Sequence, residues 1–120
     1  MAKGGVETFV GATYDPQFGH LMGFGIGGVN VELWKDVVFR MAPLRDTEAR
    51  AMLDQIRARR LLEGFRGGPE VDKDALASVL LRVSRLVQDF PALVDVDVNP
   101  LSAREDGVLA LDGRIRVSVA

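Results

Sequence analysis

The stretch "DVDVNPL", residues 95–101, places two carboxylates and a carboxamide at every second position. In an extended strand successive side chains alternate between faces, so Asp95, Asp97 and Asn99 share one side while Val94, Val96 and Val98 share the other. A further acid, Asp112, follows in "LALDGRI". If 94–101 and 107–112 form a hairpin through the loop at 102–106, Asp112 falls roughly opposite Asp97, with Cβ atoms about 5 Å apart. Facing carboxylates repel each other, and a cation between them reverses the sign. Carboxylate and amide oxygens are hard donors of the kind that Mg²⁺ takes, with waters and substrate phosphates completing its octahedron. The spacing leaves two readings open: half of a site for a metal–nucleotide complex, or a solvated sheet face where the charges are harmless.

The elements that must carry these residues can be read from periodicity. Residues 6–12, VETFVGA, alternate and contain β-branched and aromatic side chains, which predicts a strand. "TYDPQFGH" has a turn signature in Asp15-Pro16 and Gly19. LMGFGIGGVNVEL mixes apolar residues with Gly23, Gly25, Gly27 and Gly28, and WKDVVFRMA, 34–42, reads as a strand closed by Pro43. From Asp46 the period lengthens. Ala49, Met52, Leu53 and Ile56 follow the spacing of one helix face, with Asp46 or Thr47 as N-cap and an end near Leu62. Asp72 caps a second helix with the stripe Leu76, Val79, Leu80, Val83 and Leu86, which ends before Pro91. Period two returns at 93–101 and in VLALDG and RIRVSV. Strands in groups with helices between them predict an α+β fold, a mostly antiparallel sheet with two helices packed on one face.

The 120 residues suit a single domain over 1–120. With 15 basic and 17 acidic side chains the net charge is −2, which speaks against a nucleic-acid or anionic-membrane binder. Arg57, Arg59 and Arg60 cluster, as charges coating a helix do. The chain has no cysteine, which excludes disulfides, thiolate catalysis and Cys-ligated metals. One histidine, His20, rules out a multi-histidine metal site within the chain and is expected to be partly buried or at the surface with a hydrogen-bond partner. The N-terminal residues contain no long apolar segment and no run approaches a membrane span, so a cytoplasmic location is expected. Gly25, Gly27 and Gly28 offer backbone N–H groups to a phosphate, or else form a tight turn. Arg66 offers a bidentate phosphate donor, or else shapes a glycine-rich helix end. Glu32, after the glycines, is a substrate or metal contact or a surface acid.

Several ordered segments, GATYDPQFGHLMGFGIGGVNVELWKDVVFRMAPL, LLEGFRGGP, DVDVNPL and LALDGRI, together resemble the ATP-grasp domain of NDP-forming acyl-CoA synthetases. These are the acetate–CoA ligases (ADP-forming), related to the succinyl-CoA synthetase β chain. The resemblance runs from about Glu7 to the end and covers the second, C-terminal subdomain of a fold that holds ATP between two halves. It implies that Asn99 and Asp112, with Asp97 in support, bind Mg²⁺ on the phosphates of ATP or ADP. It also implies a parent reaction in which a phosphoryl group passes through a protein histidine to a carboxylic acid and the acyl phosphate is captured by CoA. The N-terminal ATP-grasp subdomain, the histidine-bearing loop and the CoA-binding and ligase domains are the implied partners. On its own the chain is not expected to catalyse, and no catalytic residue is assigned. His20 stands where relatives commonly have proline, so no phosphohistidine role is carried over to it. Two other readings stand beside this one. The first is an acyl-CoA-synthetase-like regulatory region of a protein acetyltransferase. The second is a small α+β interaction module without nucleotide, whose sheet edges would favour homo-oligomers.

Overall fold

The computed structural model describes residues 5–26, 36–64 and 70–118. Three strands come first: β1 (Val6–Asp15), β2 (Gly19–Ile26) and β3 (Val37–Met41). Two helices follow, α1 (Asp46–Gln55) and α2 (Lys73–Asp89), and then β4 (Leu93–Arg104), β5 (Gly107–Ala110) and β6 (Gly113–Val117). The sheet order is β3-β2-β1-β4-β5, all antiparallel, and β6 also pairs with β4. The α+β architecture and the order of elements agree with the sequence reading.

Local chemistry explains the connections. At the β1–β2 turn the Asp15 carboxylate accepts from the N–H groups of Gln17 (2.8 Å) and Phe18 (3.1 Å), and Gly19 closes the turn at φ +91°. The β4–β5 turn is Glu105-Asp106, followed by Gly107 at φ +142°. Asp72 caps α2 by accepting from the Ala75 N–H at 3.0 Å, as its position predicts.

Helix α1 differs from expectation at both ends. Its N-cap is Arg45, whose N–H donates to the Glu48 carboxylate at 2.9 Å, so Asp46 and Thr47 belong to the first turn. It stops at Gln55 rather than near Leu62. The buried Asp36 carboxylate takes the N–H groups of Arg57 (2.5 Å) and Ala58 (2.9 Å) and turns the chain into a short 3₁₀ segment, Arg59–Leu61. The exposed Arg57, Arg59 and Arg60 therefore sit on this turn and its 3₁₀ segment, and not along α1.

One face of the sheet packs on the helices. Val10, Met22, Phe24 and Leu101 meet Met52, Leu53, Leu76 and Leu80, all essentially without solvent contact. Full burial of such side chains stabilises by about 1.5–3 kcal/mol each. Ser84, buried on α2, accepts from the Leu44 N–H at 2.8 Å and ties the segment after β3 to that helix. The opposite face of the sheet carries no helix among the described residues. No helix in them is long and apolar enough to cross a membrane.

A groove on the helix-free face

Because side chains alternate, the residues that do not face the helices line up in rows across the strands. One row is Phe39, Gly23, Gly11, Asp97 and Arg114, contributed in turn by β3, β2, β1, β4 and β6. The next is Met41, Leu21, Thr13, Asp95 and Arg116. Apart from Met41 they line an open groove of about 650 Å³, with Phe9 at one side. Its two ends differ. Phe9 and Phe39 lie over glycines, for a Cβ on Gly25 would come within 2.7 Å of Phe9, and one on Gly23 within 3.1 Å of Phe39. The far end is charged.

At that end Asp95 is fully engaged. Its Oδ1 accepts from the Thr13 hydroxyl at 2.7 Å, and its Oδ2 from Arg116 Nε at 2.7 Å. The Thr13 hydrogen bond, and then the Arg116 guanidinium, hold its carboxyl below the ordinary aspartate value. Asp95 is thus a structural tie rather than a free ligand.

The register corrects the expected pairing of acids. The β4–β5 turn is tighter than the loop 102–106, and β5 pairs only with Leu101–Arg104. Asp97 lies opposite Arg114, in β6. Asp112 sits in the two-residue link between β5 and β6, beside Asn99, whose N–H donates to the Asp112 carbonyl at 3.2 Å. Asn99 and Asp112 are both exposed and come together just past the charged end of the groove. Asp97 is the next residue along the same side of β4, one pair further in.

One Asp112 oxygen accepts from the Gly113 N–H at 2.8 Å, which fixes the carboxylate. No group of three or more His, Cys, Asp or Glu side chains capable of holding a metal occurs among the described residues. The backbone hydrogen bond sets Asn99 and Asp112 next to each other, and their side chains carry one amide oxygen and one carboxylate. That fits Mg²⁺, which commonly keeps its waters and takes one or two protein oxygens plus substrate phosphates.

The other candidates divide. Gly25 is inside β2, paired with Phe9 and Val37, and the space above it is filled by the Phe9 ring and the Asp36 carbonyl, so it presents no open backbone to a phosphate. Gly27, Gly28, Glu32 and Arg66 lie outside the described residues. Glu7 pairs with Ser102 in the β1–β4 ladder, away from the groove. His20 is buried, its Nε2–H donates to the Leu93 carbonyl at 2.5 Å, and its ring meets Tyr14 edge-on at 5.3 Å. Arg114 and Arg116 were not singled out from the sequence. The signal was present in RIRV, whose period two puts both cations on one face, in phase with DVDV.

The fold is an α+β unit, an antiparallel sheet backed by two helices with one face left open. The chain belongs to the ATP-grasp domain family, whose model matches residues 1–117. It is 46% identical over 115 residues to acetate–CoA ligase (ADP-forming) I of Archaeoglobus fulgidus, covering 96% of this chain and 17% of that one. It is 42% identical over 118 residues to the acetate–CoA ligase (ADP-forming) II subunit β of Pyrococcus furiosus, covering 96% of this chain and 50% of that subunit. Among solved structures, acetyl-coenzyme A synthetase 1 of Ca. Korarchaeum cryptofilum, in complex with coenzyme A and Mg-AMPPCP, superposes with a TM-score of 0.92 at 41% identity, over 98% of this chain and 55% of that chain. The chain thus spans half or less of the length of these two curated relatives.

Proposed function

We propose that this chain is the C-terminal ATP-grasp portion of an ADP-forming acid–CoA ligase, and that its helix-free face receives an Mg²⁺–nucleotide complex. The observation that carries the reading is the backbone pairing of Asn99 with Asp112, one step along β4 from the groove residue Asp97. It is supported by likeness to a structure described with Mg-AMPPCP and coenzyme A. Asn99 Oδ1 and the Asp112 carboxylate would hold the ion, with Asp97 the nearest further acid. A bound Mg²⁺ neutralises phosphate charge and orients the transferred group. The chain's own part is to present Asn99 from β4 and Asp112 from the adjoining β5–β6 link, and to keep Asp95 and Arg116 tied to each other instead of to the ligand. CoA and the acid belong to the larger protein, in which a second ATP-grasp half closes over the groove.

The test is an NMR titration of the chain with Mg²⁺ and ADP, repeated for Asn99→Ala and Asp112→Ala. Saturable shifts centred on 95–101 and 112–116, lost in both variants while the rest of the spectrum is unchanged, are expected. Shifts that persist in both variants, or fall on the helix side, would sink the reading.

A further inference from the structure

Strand β6 is paired on one side only. Its inner edge meets β4, and among the described residues nothing pairs with its outer edge. Such an edge presents backbone N–H and C=O groups that have no protein partner. All five residues, Gly113–Val117, are exposed. Alternation sends Arg114 and Arg116 to the groove side and Ile115 and Val117 to the helix side. Ile115 and Val117 are more than half exposed, although Ile115 stands opposite the buried Val96. The helix layer therefore stops short of this strand.

The inner edge shows what β6 pairs with. Asp95, Val96 and Asp97 stand opposite Arg116, Ile115 and Arg114, an acid facing each cation and an apolar side chain facing the apolar one. Arg116 is tied to Asp95, whereas Arg114 makes no hydrogen bond or ion pair among the described residues. Its charge is available to the outer side. We infer that the outer edge of β6 is a docking site for an extended acidic segment of another protein, added to the sheet as an antiparallel strand. Its carboxylates face Arg114 and Arg116, and an apolar residue between them faces Ile115. Cross-strand Cβ atoms lie ~5 Å apart, within reach of such pairs, and main-chain hydrogen bonds supply the rest. A second copy of this chain does not fit. Two β6 strands paired antiparallel about Ile115 set Arg114 against Arg116 at both positions, and like charges directly opposite destabilise a sheet. The other strands at the sheet margins are β3, whose one charged residue is Arg40, and β5, which carries none. Neither supplies a carboxylate. The cations thus guard the edge against its own kind while leaving it open to an acidic strand. The inference stands apart from the nucleotide reading, since it concerns the margin of the sheet and not the groove.

The experiment titrates two capped peptides, TVDVDVT and TVKVKVT, into the 120-residue protein, followed by amide NMR and hydrogen exchange. The acidic peptide is expected to shift the amides of 113–117 saturably and to slow exchange of those that face outwards. The basic peptide is expected to leave them unchanged. Arg114→Ala should weaken the acidic peptide several-fold without admitting the basic one. Arg114→Glu should weaken the acidic peptide further and admit the basic one, a reversal that simple damage to the strand would not produce. Arg114 is exposed and outside the core, so the variants keep the fold, and the dispersion of their spectra checks this. Shifts that are equal for both peptides, that fall on β3, or that persist unchanged in Arg114→Glu overturn the inference. So does silence from the acidic peptide, or dimerisation through 113–117 in sedimentation without any peptide.

Discussion

Asp95 is where single-residue chemistry is most sharply defined. Its carboxyl is held below the ordinary aspartate value by the Thr13 hydroxyl and then by Arg116. A depressed folded value means that the stabilisation is present above the unfolded pKa and is lost as pH falls through the folded one. The loss therefore begins as pH falls past the ordinary aspartate value and is complete below the depressed folded one. Thr13→Val should raise the Asp95 pKa, which a carboxyl-carbon NMR titration reads directly. Because Arg116 is largely exposed, Arg116→Ala should cost no more than about 1 kcal/mol in a urea melt. A titration in which Asp95 of Thr13→Val still ionises as in the parent would remove the hydroxyl as the main cause. The alternation that puts Asp95 on the groove face is legible in the sequence. Its engagement with Thr13, 82 residues away, is not, because it depends on how β1 and β4 align.

Among the elements, the ends of α1 and the partner of Asp97 are the least legible in the sequence, and for the same reason. Helical spacing runs smoothly through Ile56, yet the chain leaves the helix there, because a carboxylate on a distant segment offers Arg57 and Ala58 better acceptors. Periodicity is local and cannot register such a competitor. The β4 strand was read in the right place with the right faces, but the partner of Asp97 depends on a two-residue break between β5 and β6 that no alternation reveals. Removing the Asp36 carboxylate tests the first point. Asp36→Ala leaves two N–H groups without their acceptor in a partly buried turn and should destabilise by about 1–3 kcal/mol in chemical denaturation. A neutral result would mean that the helix end is fixed by the Ile56 side chain alone. Gly25→Ala should also destabilise, by roughly 1–3 kcal/mol, because the added methyl meets the Asp36 carbonyl at 2.8 Å and the Phe9 ring at 2.7 Å.

For the whole molecule, the sheet is a plate with one greasy and one wet side. The apolar stripes of the helices and the valines of β4 were enough to anticipate the greasy side, since Leu76, Leu80, Met52 and Leu53 all reached the core. Leu80→Ala should cost about 2–5 kcal/mol, read as a fall in the denaturation midpoint, and should leave nucleotide shifts in place at temperatures where the variant is folded. Loss of both together below the midpoint would show that groove and core are coupled. The wet side was harder to anticipate, because its glycines and rings make sense only as rows across five strands, and no row is contiguous in sequence.

Strands β5 and β6 run in the same direction along one edge of β4, so they amount to a single strand with a two-residue interruption, and Asp112 belongs to that interruption. Asn99 and Asp112 are exposed, and neither side chain belongs to the packed core. Such positions can drift under mutation while the fold is retained. If the proposed metal–nucleotide reading holds, selection can switch the ligand off without unmaking the plate that carries the two residues. A lineage that needed only the shape would inherit a stable relic, and Asn99 and Asp112 would be the first to record the change.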